Sequence, residues 1–183
     1  ENFGRRKSDL AGKALEQVLR EQVTRLKAIA DDLCIPLTHL KPHGALYNMA
    51  ACDEGLSANV INVLQSVLPD ARLVGPPASQ TQILADRLGI PFVAEGFADR
   101  AYEADGQLRD RQKPGAVLSS GDLQAQQALD LATRQRVTTY AGDQITLLVD
   151  SICVHGDTPG AFASACQIKA SFLDYGLSIC APA

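Results

Sequence analysis

The sequence predicts an α/β fold built on parallel strands. Short apolar runs such as "ARLVG", "IPFVAE" and "DSICV" alternate with longer segments of helical periodicity, the order that a parallel sheet with covering helices requires. Hydrophobic residues make up 46% of the 183 and charged residues 21%, a composition that packs a core. The strand-like runs also break into Gly, Pro and polar residues, and parallel α/β folds gather functional groups where strands end and helices begin.

Each element has its own reason. Ser8–Leu33 reads as a long helix, with Leu10, Ala14, Val18, Val23 and Leu26 near helical spacing and Ser8 or Asp9 as its cap. Ile35-Pro36 breaks it, and Leu37–Lys41 follows as a short strand. Asp53–Leu68 is a second helix, closed by Pro69-Asp70. Ala71–Gly75 is a strand, Ser79–Leu88 a helix ended by Gly89, and Ile90–Glu95 the next strand. A long polar loop leads to Gly121-Asp122, which opens a helix across Leu123–Arg134. "RVTTYAGDQITLLV" is patterned as a hairpin around Ala141-Gly142-Asp143. Asp150–Val154 is a buried strand, Thr158–Tyr175 a helix and Leu177–Cys180 a last strand.

Composition narrows the function. A net charge of −4 and the absence of a basic stripe argue against a nucleic-acid partner. Aromatics at 5%, with no tryptophan, weaken the case for a base- or sugar-stacking platform. Five cysteines without a CxxC pair fit reduced thiols in a cytoplasm better than a disulfide framework or a zinc ribbon. There is no signal-peptide pattern and no apolar run near the roughly 20 residues of a membrane span, so no membrane is expected. The chain begins with Glu rather than Met, so a missing native N-terminus is expected.

Three strand exits collect the candidate chemistry. In "HLKPHGALYN" side-chain alternation places His39, Lys41 and His43 on one strand face, and Pro42 marks the strand's end. His39 also suits a core position, and His43 a capping one. In "EGFADRAY", Glu95 and Asp99 are candidate bases, and Arg100 a clamp for a substrate carboxylate. A surface Asp–Arg pair is the alternative there, worth little. Arg111 in the following loop suits the same anion. In "SICVHGDTPGA", His155 leaves a buried strand, Asp157 or Thr158 can cap the next helix, and Pro159 suits its first turn. That helix start offers backbone N–H groups to an anion. His43, His155 and Asp99 are thus expected together at one end of the sheet. Two histidines and a carboxylate could hold zinc, although no ligand pair has local metal spacing. No Walker-type loop or GxGxxG occurs.

"KPHGALYN", "FADRAY", "SICVHGDTPGA" and, less closely, "NFGRR" resemble signature stretches of the LamB/YcsF family, equated with the A component of bacterial 5-oxoprolinase. The resemblance runs from Phe3 to the last predicted strand. It implies a seven-stranded (β/α) TIM-like barrel of the glycoside hydrolase/deacetylase type. It also implies ATP-dependent opening of the 5-oxoproline lactam to glutamate, ATP being used with Mg, together with subunits B and C. Carried over by motif, Lys41, His43, Asp99, His155 and Asp157 are the expected catalytic residues. Arg5, Arg6, Tyr47, Asn48, Glu95, Arg100 and Arg111 are the expected substrate-binding ones. The family's "DLNCDLGE"-like, "GFHAGD"-like and "AHPGYPD"-like openings are absent here. The expected fold is therefore an incomplete barrel lacking about three βα units, with an open edge beside Leu37–Lys41 covered by the missing segment or by a second copy in a homodimer. A metal-dependent deacetylase or amidohydrolase, and a non-catalytic lactam-binding subunit, are the alternative readings.

Overall fold

The computed structural model describes residue 4, residues 10–157 and residues 159–181. The sequence-predicted caps Ser8 and Asp9, together with Arg5, Arg6 and Thr158, lie outside the described residues. The chain forms two compact units, residues 1–93 and 94–183.

In the first unit the long helix α1 spans Gly12–Asp32 and is followed by strand β1, His39–Leu40. β1 pairs in parallel with β2, Arg72–Gly75, matching His39 to Arg72 and Leu40 to Leu73. Helices α2 (Gly44–Cys52), α3 (Glu54–Val67) and α4 (Gln80–Arg87) complete the unit. Asp53 caps α3 by accepting the Leu56 N–H at 2.9 Å, and Ser79 caps α4 by accepting that of Gln82 at 3.2 Å. The core gathers Ile61 and Leu64 of α3, Leu73 of β2 and Ala85 of α4, all buried, with Leu19 and Val23 of α1 packed against them. Each of the larger aliphatic side chains contributes about 1.5–3 kcal/mol on burial. Gly75 is a packing glycine, since a Cβ there would stand 2.9 Å from the Phe92 ring.

Two elements of this unit differ from those the sequence predicts. The expected Leu37–Lys41 strand shrinks to two residues, and Pro42, which can donate no ladder bond, stands just past its end. Helix α2 was not expected at all. Its residues "GALYNMAAC" are mostly good helix formers entered through Gly44 at φ +64°, a left-handed conformation that glycine adopts without strain.

Strand β3, Phe92–Phe97, begins in the first unit and continues into the second, two residues later than its expected span at each end. In the second unit it pairs in parallel with β6, Ser151–Cys153. Helix α5, Gly121–Arg134, starts at the Ser120 cap, which accepts the Leu123 N–H. It ends at Gln135 in the left-handed region. β4 (Arg136–Thr138) and β5 (Gln144–Thr146) form the expected antiparallel hairpin. Helix α6, Ala161–Asp174, packs on α5 through Ala125, Ala128 and Ile168. It begins later than expected, capped by the backbone of Gly160 rather than by Asp157, and Pro159 lies before it. Leu177–Cys180 forms no strand. Gly176 turns the chain at φ +78° and no ladder partner receives the segment among the described residues.

Candidate functional site

The register of β3 and β6 builds the site in the second unit. Phe97 lies opposite Cys153, and the Ala98 N–H still donates to the Cys153 carbonyl at 3.0 Å. Two further residues along each parallel chain bring Asp99 and His155 side by side. The His155 Nδ1 lies 2.8 Å from Asp99 Oδ2 and 3.1 Å from Oδ1. A carboxylate can only accept, so Nδ1 carries the proton and donates it to Asp99. This leaves Nε2 as the basic nitrogen of the neutral ring, and it has no hydrogen-bond partner among the described residues. The Phe97 ring stacks on the imidazole at a centroid distance of 5.5 Å. Asp99 is 2% exposed whereas the His155 side chain is 27% exposed, so the acid is shielded and the base reaches solvent.

Helix α5 holds this strand exit from behind. The Gln127 Nε2 donates to the carbonyls of Phe97, Ala98 and Arg100 at 2.8, 3.2 and 2.7 Å. The Gln124 Nε2 donates to the Leu118 carbonyl at 2.7 Å, and the Leu118 N–H donates back to the Asp99 carbonyl. Sequence reasoning missed both glutamines. A signal was present: they fall on the same helical stripe as Ala128 and Leu131, where apolar side chains are the rule. Buried amides there need backbone partners.

Arg100 is buried at 5% exposure. Its Nε donates to the Ala116 carbonyl at 3.0 Å and its Nη2 to that of Arg109 at 2.6 Å. Burial pulls its pKa below the ordinary arginine value, and the nearby Arg111 charge adds to this. Arg111 instead reaches outward, 3.7 Å from Asp157. Glu95 is not the last residue of its strand, since β3 runs on to Phe97, and it is buried. Tyr102 is also buried, and its hydroxyl accepts the Phe97 N–H at 2.7 Å. Burial pushes its phenol above the ordinary tyrosine range, outweighing the hydrogen bond from Phe97 that favours ionisation.

The remaining candidates belong to the first unit. His39 is exposed and bonded to the Thr38 hydroxyl at 3.2 Å, which removes the core reading. His43 stands at the α2 N-cap position without a side-chain capping bond. The Lys41 ammonium lies 5.7 Å from the ring centroid of Tyr47, which is buried on α2, while Asn48 is exposed on the same helix. Because β1 ends at Leu40, the face that His39, Lys41 and His43 were expected to share does not form. Lys41 and His43 instead line a cavity of about 540 Å³ whose walls are mostly apolar, Leu15, Leu19 and Val60 among them. Among the described residues no group of three or more His, Cys, Asp or Glu side chains is placed to hold a metal ion. No helix among them is long and apolar enough to cross a membrane.

The chain is similar to known proteins along its whole length. The profile of the LamB/YcsF family matches residues 1–183. The A component of 5-oxoprolinase from Limosilactobacillus fermentum is 39% identical over 177 residues, which cover 97% of this chain and 70% of that protein. Its counterpart of the same name in Chloroflexus aggregans is 38% identical over 180 residues, covering 98% and 71%. Among solved structures, the lactam utilization protein of Thermus thermophilus superposes with a TM-score of 0.89 at 28% identity, covering 97% of this chain and 71% of that one.

Proposed function

The chain belongs to the LamB/YcsF family, and on that premise we propose that it is the A component of a 5-oxoprolinase, opening the lactam of 5-oxo-L-proline to L-glutamate with ATP and the partner subunits B and C. The carrying observation is the Asp99–His155 pair. Asp99 fixes the imidazole tautomer, and Nε2 faces the exposed side as a proton acceptor. The proton of the attacking water passes to Nε2 as its oxygen bonds to the lactam carbonyl carbon. The same nitrogen then returns the proton to the ring nitrogen as the C–N bond breaks. Arg111 is the partly exposed guanidinium suited to the substrate carboxylate. ATP supplies the activation that an unstrained amide lacks.

The architecture in this reading is part of a (β/α) barrel of the seven-stranded type. It is supported by the parallel pairing of β1 with β2 and of β3 with β6. It is also supported by the free edge of β1, which pairs with no strand but β2 among the described residues. The test is turnover by the protein assembled with its two partner subunits. Release of glutamate from 5-oxoproline together with ATP consumption is expected. Binding of the lactam without glutamate release would reduce the chain to a carrier.

A further inference from the structure

The sequence predicts that Arg100 grips substrate, yet two of its three guanidinium nitrogens donate to backbone carbonyls. Its Nε and Nη2 bond the carbonyls of Ala116 and Arg109, the two ends of the segment that carries Arg111. The backbone reinforces this closure, since the Ala101 N–H donates to the same Ala116 carbonyl and the Arg109 N–H to that of Ala101. Inside the segment the Asp110 carboxylate accepts the Gln112 N–H, and the Lys113 N–H donates to the Asp110 carbonyl. Arg109 braces the outer side. Its guanidinium lies 3.5 Å from the Tyr140 ring centroid and donates to Glu103 and to the Pro114 carbonyl. Arg111 emerges from this frame one third exposed, its Nη2 3.7 Å from Asp157 and hence on the side of the His155 segment.

We propose that Arg100 is a positioning residue: it ties both ends of the Arg109–Ala116 segment so that Arg111, and not Arg100, receives the substrate carboxylate. This rests on the 5-oxoprolinase reading. A buried guanidinium is well suited to the task. It presents donors in a rigid fork and remains charged, and a lysine, with one ammonium point, cannot span two carbonyls so well.

The test uses the full-length chain assembled with its partner subunits, comparing Arg100→Met, Arg100→Lys, Arg111→Met and the Arg100→Met/Arg111→Met double variant. Two readouts are taken: steady-state kinetics with 5-oxoproline and ATP, and amide hydrogen exchange over residues 109–116. Arg100→Met is expected to raise KM for 5-oxoproline about 10- to 100-fold with kcat changed less than about threefold, as when binding shared equally by the ground and transition states is lost. Arg111→Met is expected to match it, the double variant to be no worse than Arg111→Met, and Arg100→Lys to recover part of the loss. Exchange in the segment is expected to quicken about tenfold or more in Arg100→Met and to stay unchanged in Arg111→Met. If the two single losses multiply in the double variant, or if exchange is unaltered in Arg100→Met, the positioning role is overturned. If Arg100→Met does not fold, Arg100→Lys carries both readouts with the same criteria. An assembly that does not turn over 5-oxoproline defeats the functional reading, and the exchange result then still decides whether Arg100 ties the segment.

Discussion

Asp99 and His155 are separated by 56 positions in the chain and meet at 2.8 Å. Replacing Asp99 with Asn keeps the shape but offers an amide that can stabilise the other imidazole tautomer, with the proton on Nε2. Turnover by Asp99→Asn is expected to fall about 10²–10⁴-fold, while thermal unfolding stays close to wild type. An unchanged kcat would remove the tautomer argument. Tyr102 gives a second residue-scale expectation. Its raised pKa means that the folded protein holds the phenolic proton more tightly than the unfolded chain does. The associated stability is complete below the ordinary tyrosine value of roughly 10, and is lost as pH climbs above it. Tyr102→Phe leaves the buried Phe97 N–H without its acceptor, a loss of about 1–3 kcal/mol at neutral pH. Chemical denaturation at several pH values should show that gap narrowing above about pH 10. A gap that widens there would contradict the assignment. At this scale the sequence was legible in residue type and position for Asp99 and His155, since both follow apolar strands. The role of Arg100 was not legible, because an arginine after a strand looks the same whether its donors turn to solvent or to backbone carbonyls.

At the scale of elements, α5 decides the geometry of the strand exit. Its buried stripe mixes Ala125, Ala128 and Leu131 with Gln124 and Gln127. Gln127→Met fills the space but leaves three carbonyls without their shared donor, a loss of about 1–3 kcal/mol. Gln126 is exposed and its side chain donates to Asp130, so Gln126→Met should change stability by less than about 0.5 kcal/mol. Urea unfolding of the two variants checks the contrast, and equal losses would contradict the clamp. The long helices and the hairpin were readable because their period or turn chemistry is local. The two-residue β1, the unexpected α2 and the missing last strand were not. A short apolar run is strand or helix according to whether a neighbouring strand receives it, and that is a tertiary fact. Thr-Pro resembles a cap and predicts an earlier start for α6, whereas Gly160 in the left-handed region sets it.

At the scale of the whole molecule, the two units differ in what they offer. The first packs an aliphatic core under α1, α3 and α4 and has a mostly apolar cavity that Lys41 and His43 line. The second carries the hydrogen-bonded Asp99–His155 pair, the loop whose two ends bond Arg100, and the partly exposed Arg111. The chain spans about 70% of the length of the relatives it matches. Family membership was legible in motifs long enough to be specific, whereas the division into two units was not, since no composition break or linker marks residue 93. The proton-moving role of the Asp99–His155 pair is tested most directly by glutamate formation from 5-oxoproline and ATP, with full-length His155→Ala compared against wild type in the assembled enzyme. His155 is 27% exposed at its side chain and its loss leaves the buried Asp99 without its donor, so a folded but less stable variant is expected, verified by a cooperative thermal transition. Its kcat should drop about 10²–10⁴-fold, the usual cost of losing a proton-transfer group. A folded His155→Ala enzyme that forms glutamate at a near-normal rate would contradict it.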